Sequence, residues 1–255
     1  MELGLQKAAV IVTGAASGIG AAIARALAAE GVGGLFLTDR DASGLDRVAA
    51  ELAAVPVATL VADLAEVFGP AQIAAAAVAR FGRIDGLVNA AGLTTRGSFT
   101  TGTAEIWDAL FAVNGRAGFL LMQAAIADMQ RRRAGGAIVN ILSMNAHCGT
   151  PELAVYSASK GAMLTLTKNA AHAHMADRIR VNGINLGWVA TETEHRIQTA
   201  LLGEGWEAQV AAAEPLGRLV TAEECARLAL FLLSDASVPI SGAVIDFEQR
   251  VAGAR

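Results

Sequence analysis

The sequence predicts an α/β protein, a doubly wound parallel sheet of about seven strands with helices on both faces. Three observations predict it. Short β-branched runs alternate with alanine-rich stretches of helical length along the whole chain. The strand runs are apolar throughout rather than at alternate positions, as expected where both faces of a sheet are covered. A glycine-rich turn joins the first run to the first helix.

The elements follow in order. Residues 8–12 (AAVIV) read as a buried strand and 18–30 as a helix, with Ile23 and Leu27 at i and i+4. Residues 34–38 (GLFLT) give a second strand and 43–54 a second helix. Residues 57–61 (VATLV) are a third strand, followed by a helix near 70–81, and 84–88 (IDGLV) a fourth. A long helical region covers 103–131. Residues 136–142 (GAIVNIL) are a fifth strand, 154–175 another long helix, and 179–184 (IRVNGI) a sixth strand. Residues 221–234 are helical and 242–247 (GAVIDF) form the last strand. Right-handed crossovers turn this β-α alternation into a Rossmann-like sheet. No linker or solenoid repeat interrupts it, so residues 1–255 are expected to form a single domain. The stretch 187–217 has no clear strand and follows the sixth one at the ligand-binding edge. A loop-helix lid is expected there.

Composition narrows the function classes. Hydrophobic residues make up 54% of the 255-residue chain, enough for a sizeable core, and only 17% are charged, which disfavours wide disorder. The formal net charge of −4 argues against a nucleic-acid partner. Arg131-Arg132-Arg133 is the one basic cluster and reads as a solvated helix end. The apolar stretch Ala8–Val12 is too short for a signal peptide or membrane span, and no uninterrupted apolar run reaches 18 residues, so no membrane partner is expected. Cys148 and Cys225 have no metal-ligand spacing and read as reduced thiols of a cytoplasmic protein; no metal site is expected.

The motif Thr13-Gly14-Ala15-Ala16-Ser17-Gly18-Ile19-Gly20 ends the first strand and opens the first helix. Its glycines permit a tight turn and a close backbone approach, and the helix N-terminus presents free N–H groups to a pyrophosphate. Ser17 adds a hydroxyl donor. Asp39, at the end of the second strand, is placed to accept from adenosine ribose hydroxyls and to repel a 2′-phosphate, which favours NAD over NADP. Arg40 pulls the other way, since a guanidinium attracts that phosphate. Asp63 after the third strand reads as an adenine contact, a helix N-cap, or both.

Tyr156 and Lys160 lie at i and i+4 in YSASK, on one helix face. A nearby ammonium favours phenolate, so the pair is suited to pass a proton to or from an alcohol oxygen. Ser143, at the end of the fifth strand, brings a hydroxyl to the same edge. Asn89-Ala90-Ala91-Gly92 ends the fourth strand, and Asn114 falls in the long helix after it.

TGAASGIG, NAAG, Asn114, Ser143, YSASK and IRVNGINLG occur in the order and spacing of the short-chain dehydrogenases/reductases, and the chain resembles their compact single-domain branch over nearly its whole length. The resemblance implies a catalytic tetrad of Asn114, Ser143, Tyr156 and Lys160. Tyr156 is then general acid/base and Ser143 orients the substrate oxygen. Lys160 binds the nicotinamide ribose and tunes Tyr156, and Asn114 holds a water linking Lys160 to solvent. It implies cofactor contacts from Ile19, Leu64, Asn89, Ala90, Ala91, Gly187, Val189 and Thr191 beside the residues above, with Asn89 steadying the central sheet. It also implies a homotetramer built through the helices near 103–131 and 154–175. Three departures bear on substrate fit and subunit packing: Ala90 for a second polar residue, Leu186-Gly187 for Pro-Gly, and Asp246-Phe247-Glu248 for Asp-Gly-Gly.

The reading is a hydride transfer between a nicotinamide cofactor and a secondary alcohol or ketone, with a polyol or sugar-like small molecule as substrate. Asn145, His147 and Trp188 join Ser143 as candidate substrate contacts. Trp188 and Trp206 are placed to close over a substrate or to anchor the lid. An NADP-dependent carbonyl reductase using Arg40 is the second reading. A non-catalytic dinucleotide-binding regulator is the third, which the complete tetrad disfavours.

Overall fold

A computed structural model describes residues 3–251. The elements are β1 (Ala9–Thr13), α1 (Gly18–Ala29), β2 (Gly34–Asp39), α2 (Ala42–Glu51), β3 (Val57–Val61), α3 (Gly69–Phe81) and β4 (Gly86–Asn89). They continue as α4 (Ala104–Phe111), α5 (Gly118–Arg131), β5 (Gly136–Ser143), α6 (Ala154–His174) and β6 (Ile179–Leu186). The last are β7 (Val189–Ala190), α7 (Glu192–Leu202), α8 (Trp206–Ala213), β8 (Val220–Thr221), α9 (Ala222–Leu233) and β9 (Val244–Phe247).

Seven strands form one sheet in the order β3-β2-β1-β4-β5-β6-β9, every pair parallel. The chain winds outward from β1 to β3, then returns to add β4 on the other side of β1. That reversal opens a crevice at the carboxyl ends of β1 and β4, where ligands bind in such sheets. The wholly apolar runs have their physical reason here. β1 is buried at all five positions and β6 at all eight, between a helix layer containing α1 and α9 and one containing α3, α5 and α6. The outer strands β3 and β9 are only partly buried, because each has a neighbour on one side alone.

Two groups of polar side chains inside this core are paired across elements. Arg180 on β6 is 7% exposed and reaches under the end of α9. It donates to the carbonyls of Leu232 (2.8 Å), Leu233 (3.2 Å) and Ser234 (2.9 Å) and to Ser237 Oγ (2.6 Å). A helix C-terminus leaves its last carbonyls without partners, and the guanidinium supplies them together with a charge that suits the dipole. Between the central strands, Asn89 Nδ2 donates to Asn140 Oδ1 (2.8 Å), and Asn140 Nδ2 to Thr167 Oγ1 (2.8 Å).

Three expectations are corrected. Arg132 is not solvated; its side chain is 15% exposed and pairs with Asp128 (2.7 Å) and Asp85 (3.2 Å). Burial works to raise the Asp128 carboxyl, but Arg132, the Ile84 N–H and Arg131 outweigh it and hold it below its ordinary value. Arg132 therefore ties the end of α5 to the entry of β4, while Arg131, at 64% side-chain exposure, and Arg133 are the exposed members of the cluster. The stretch 187–217 does contain a strand: β7 pairs in parallel with β8. Two residues are too few to leave a periodic signal. Asp63 is not the N-cap of α3, which begins at Gly69; its Oδ1 instead accepts from Ala65 N–H (2.8 Å), a local turn.

Candidate active site

The carboxyl ends of β1 to β6 converge on one cleft of about 880 Å³. Gly14, Ser17, Gly18, Ile19 and Gly20 form its floor at one end. Asp39, Arg40, Asp63 and Leu64 line the side toward β2 and β3. Ala90 and Ala91 lie across the crevice. Ser143, Asn145, Tyr156 and Lys160 form the far wall, and Gly187, Trp188, Val189 and Thr191 the roof.

The phosphate loop is shaped by two close approaches. Gly14 has φ of +66°, and a Cβ there would meet the Ala91 backbone at 2.9 Å. A Cβ on Gly20 would lie 2.2 Å from the Gly14 carbonyl. Only glycine fits at either position. Ser17 occupies the N-cap position of α1, yet its side chain makes no cap hydrogen bond, so its hydroxyl and the first-turn N–H groups are left for a ligand. At the end of β2 the Asp39 carboxylate is fixed by two backbone donors, Ala16 N–H on Oδ2 (3.0 Å) and Asp41 N–H on Oδ1 (3.1 Å). These features fit a dinucleotide: an anion cradle, an apolar crevice and a fixed acceptor for ribose hydroxyls.

Thr13 holds the two halves of the crevice together, a role with no sequence signal beyond its place in the motif. Its hydroxyl donates to the Val88 carbonyl (3.4 Å) and accepts from Ala90 N–H and Ala91 N–H (both 3.1 Å). Ala90 therefore sits where its backbone, not its side chain, carries the contact.

Tyr156 and Lys160 share one face of α6, as their spacing requires. Both are buried. Lys160 Nζ donates to the Ile141 carbonyl (2.9 Å), and burial alone pulls its pKa down to about 8. Tyr156 moves the other way. Burial raises its phenol, a hydrogen bond from Ser143 lowers it, and the nearby Glu194 charge raises it; the net direction is upward. The desolvation of Tyr156 thus outweighs the Ser143 hydrogen bond, contrary to the lowered phenol expected from a neighbouring ammonium. Ser143 Oγ accepts from Asn145 N–H (3.2 Å) and Asn145 Nδ2 (3.3 Å), which leaves its own proton to point at the tyrosine oxygen.

Asn114 lies one layer behind, in a π-helical turn (Ala112–Ala117) between α4 and α5. Its Oδ1 accepts from Leu93 N–H (2.8 Å), and its Nδ2 donates to the Leu93 carbonyl (2.9 Å) and Ser159 Oγ (3.0 Å). A small cavity of about 10 Å³ is lined by Asn114, Lys160, Asn89 and Thr13. That is near the least volume that holds one water.

His147 does not line the cleft, contrary to the expectation for a substrate contact. Its Nε2 lies 2.9 Å from Asp246 Oδ1 and 3.1 Å from Asn185 Nδ2, so it ties the loop after β5 to β9. The departures at the chain's end explain this. Asp246 is taken up by His147 and Asn185, while the Glu248 carboxylate lies against Gly187 and reaches the cleft. Trp188 both lines the cleft and stacks on the buried Trp206, with ring centroids 5.5 Å apart. Glu194 on α7 also lines the cleft; in the sequence it is one glutamate in a charged run and nothing singles it out.

A short-chain dehydrogenase model described as enoyl-(acyl carrier protein) reductase matches residues 14–248, nearly the whole chain. The protein belongs to the short-chain dehydrogenase/reductase family. It is 38% identical to galactitol 2-dehydrogenase (L-tagatose-forming) of Cereibacter sphaeroides, over 94% of this chain and 93% of the relative. It is 37% identical to a protein described as inactive 2-(S)-hydroxypropyl-CoM dehydrogenase 2 of Xanthobacter autotrophicus, over 82% and 90%. The structure of L-sorbose reductase from Gluconobacter frateurii, complexed with NADPH and L-sorbose, superposes with a TM-score of 0.94 at 27% identity and covers 100% of both chains. Like its family, this short-chain dehydrogenase/reductase is an oxidoreductase that moves a hydride between a nicotinamide cofactor and an alcohol or ketone.

Proposed function

We propose that the protein is an NAD-dependent dehydrogenase of polyols or sugar-like secondary alcohols, with Tyr156 as its proton-transfer residue. The observation that carries the reading is the shared wall of Ser143, Tyr156 and Lys160 in a cleft continuous with the phosphate loop and Asp39. The nicotinamide group, when bound, supplies the hydride acceptor or donor. In oxidation the Tyr156 oxygen takes the hydroxyl proton; in reduction it returns one. Ser143, aimed by Asn145, hydrogen-bonds the substrate oxygen beside it. Lys160 holds the nicotinamide ribose hydroxyls and supplies positive charge near the phenol. Asn114 and the small cavity beside it hold the water through which Lys160 exchanges its proton with solvent.

The NAD preference rests on Asp39. Both of its oxygens are engaged by backbone N–H groups, so the carboxylate does not swing aside for a 2′-phosphate. Arg40 lines the same side and is the ground for the second reading, an NADP-dependent reductase, which the NADPH of the sorbose reductase complex keeps in view. The polyol class is supported by the galactitol-oxidising and sorbose-reducing relatives. The relative described as inactive raises the regulator reading, against which stands the complete set of Asn114, Ser143, Tyr156 and Lys160 in this chain. The lid, α7 with α8, closes one fold unit rather than a separate domain. The two thiols are free and suit the cytoplasm, and a homotetramer is the assembly we propose.

Initial rates with NAD and NADP on a panel of hexitols and tetritols test the reading. The expected result is a kcat/KM at least about tenfold higher with NAD, about 1.4 kcal/mol of discrimination. A preference for NADP would overturn the role given to Asp39.

A further inference from the structure

We propose that Glu194 is a specificity-determining residue: its carboxylate accepts a hydrogen bond from a second hydroxyl of the substrate, beyond the one being oxidised. The inference rests on the polyol reading above and names the group that enforces it. Glu194 lies in the first turn of α7 and lines the same cleft as Tyr156 and Ser143. One of its oxygens is already committed. Oε1 accepts from the Trp188 indole N–H and from Gln198 Nε2, both at 2.8 Å. Those two donors are themselves held: Trp188 stacks on the buried Trp206, and Gln198 is 7% exposed. Oε2 has no hydrogen-bond partner among the described residues, and no ion pair there includes Glu194. The charge is close enough to Tyr156 to raise its phenol, which puts the carboxylate near the reacting end of the cleft.

The fold thus fixes a carboxylate by one oxygen and leaves the other as an acceptor. Ordering it costs the substrate little, because Trp188 and Gln198 have done so already. A polyol or sugar supplies the hydroxyl donor. A simple secondary alcohol does not, and on binding it strips water from Oε2 without replacing the lost hydrogen bond.

The test compares a vicinal diol, a secondary alcohol of the same carbon skeleton and the matched amino alcohol, on the wild-type protein, Glu194→Gln and Glu194→Asp. The expected wild-type protein prefers the diol to the secondary alcohol, and Glu194→Gln lowers that ratio of kcat/KM by at least about tenfold, mainly through KM. Glu194→Asp, which draws the acceptor back, lowers it by less. Fluorescence of Trp188, bonded to Glu194, reports diol binding without turnover and is expected to show a parallel rise in Kd. Partial misfolding scales both rates and leaves the ratio intact. If the wild-type protein prefers the diol and the ratio survives Glu194→Gln, Glu194 is not the discriminator although the polyol reading stands. If the wild-type protein prefers the secondary alcohol, the polyol reading itself fails. An amino alcohol that outperforms the diol overturns the proposal too, since the carboxylate then reads a cation.

Discussion

Tyr156 and Lys160 are displaced in opposite directions by one cause. Both are buried, and burial disfavours whichever form is charged: phenolate for the tyrosine, ammonium for the lysine. The phenol therefore stays protonated through neutrality, ready to donate in carbonyl reduction, while oxidation needs the phenolate. The two directions should respond to pH with opposite sign. From about pH 6 to about pH 11, kcat/KM for alcohol oxidation is expected to rise, while for carbonyl reduction it holds through neutrality and falls only above about pH 10, where phenolate forms. Initial rates in both directions across that range check it. A reduction rate that climbs with pH would remove Tyr156 from the acid role. At this scale the sequence was informative where residues act in motifs. Tyr156, Lys160, Ser143 and the glycines stand where their spacing required. His147 was misplaced because its partner, Asp246, lies far along the chain, and no local pattern reports that pairing. Glu194 was missed because its meaning comes from Trp188 and Gln198 around it, not from its own position.

Elements were legible in proportion to their length and burial. Helices α1 and α6 and strands β1 and β6 appear within a residue or two of their expected bounds, since each has a continuous core-facing pattern. The ladder of β7 and β8 was not legible, nor was the π-helical turn that carries Asn114, because an i→i+5 bond leaves no compositional mark. Arg180 lies inside the motif IRVNG but acts on another element. Its guanidinium caps three carbonyls at the end of α9 and bonds Ser237. Arg180→Ala removes the donor to the Leu233 carbonyl, while Leu232 and Ser234 keep Ser237 as a donor, and is expected to cost about 2 kcal/mol, read as a lower urea midpoint at unchanged m-value. A loss below about 1 kcal/mol would mean that the end of α9 finds other partners.

At the scale of the molecule, the run Ala104–Arg131 is one continuous helix of 28 residues whose most apolar window has mean hydropathy 1.4 and is half buried within the chain. Length and composition alone would let it cross a membrane, but α5 packs on α3 and α4 on α6, which already covers much of its apolar surface. What stays uncovered includes Trp107 and Phe119, at 48% and 43% exposure. Such residues on a helix face suit burial by another copy of the chain. Sedimentation is expected to give four times the 26.1 kDa chain mass, and Trp107→Glu to give smaller species. A wild-type protein that sediments as a single chain would contradict the tetramer. The proposed chemistry depends most on one proton. Nicotinamide absorbance, followed with a polyol substrate for the wild-type protein and for Tyr156→Phe, tests it most directly. Turnover by the wild-type protein is expected, with a loss of at least about 100-fold in the variant and cofactor still bound. Turnover by the variant within a few-fold of the wild-type rate would contradict it.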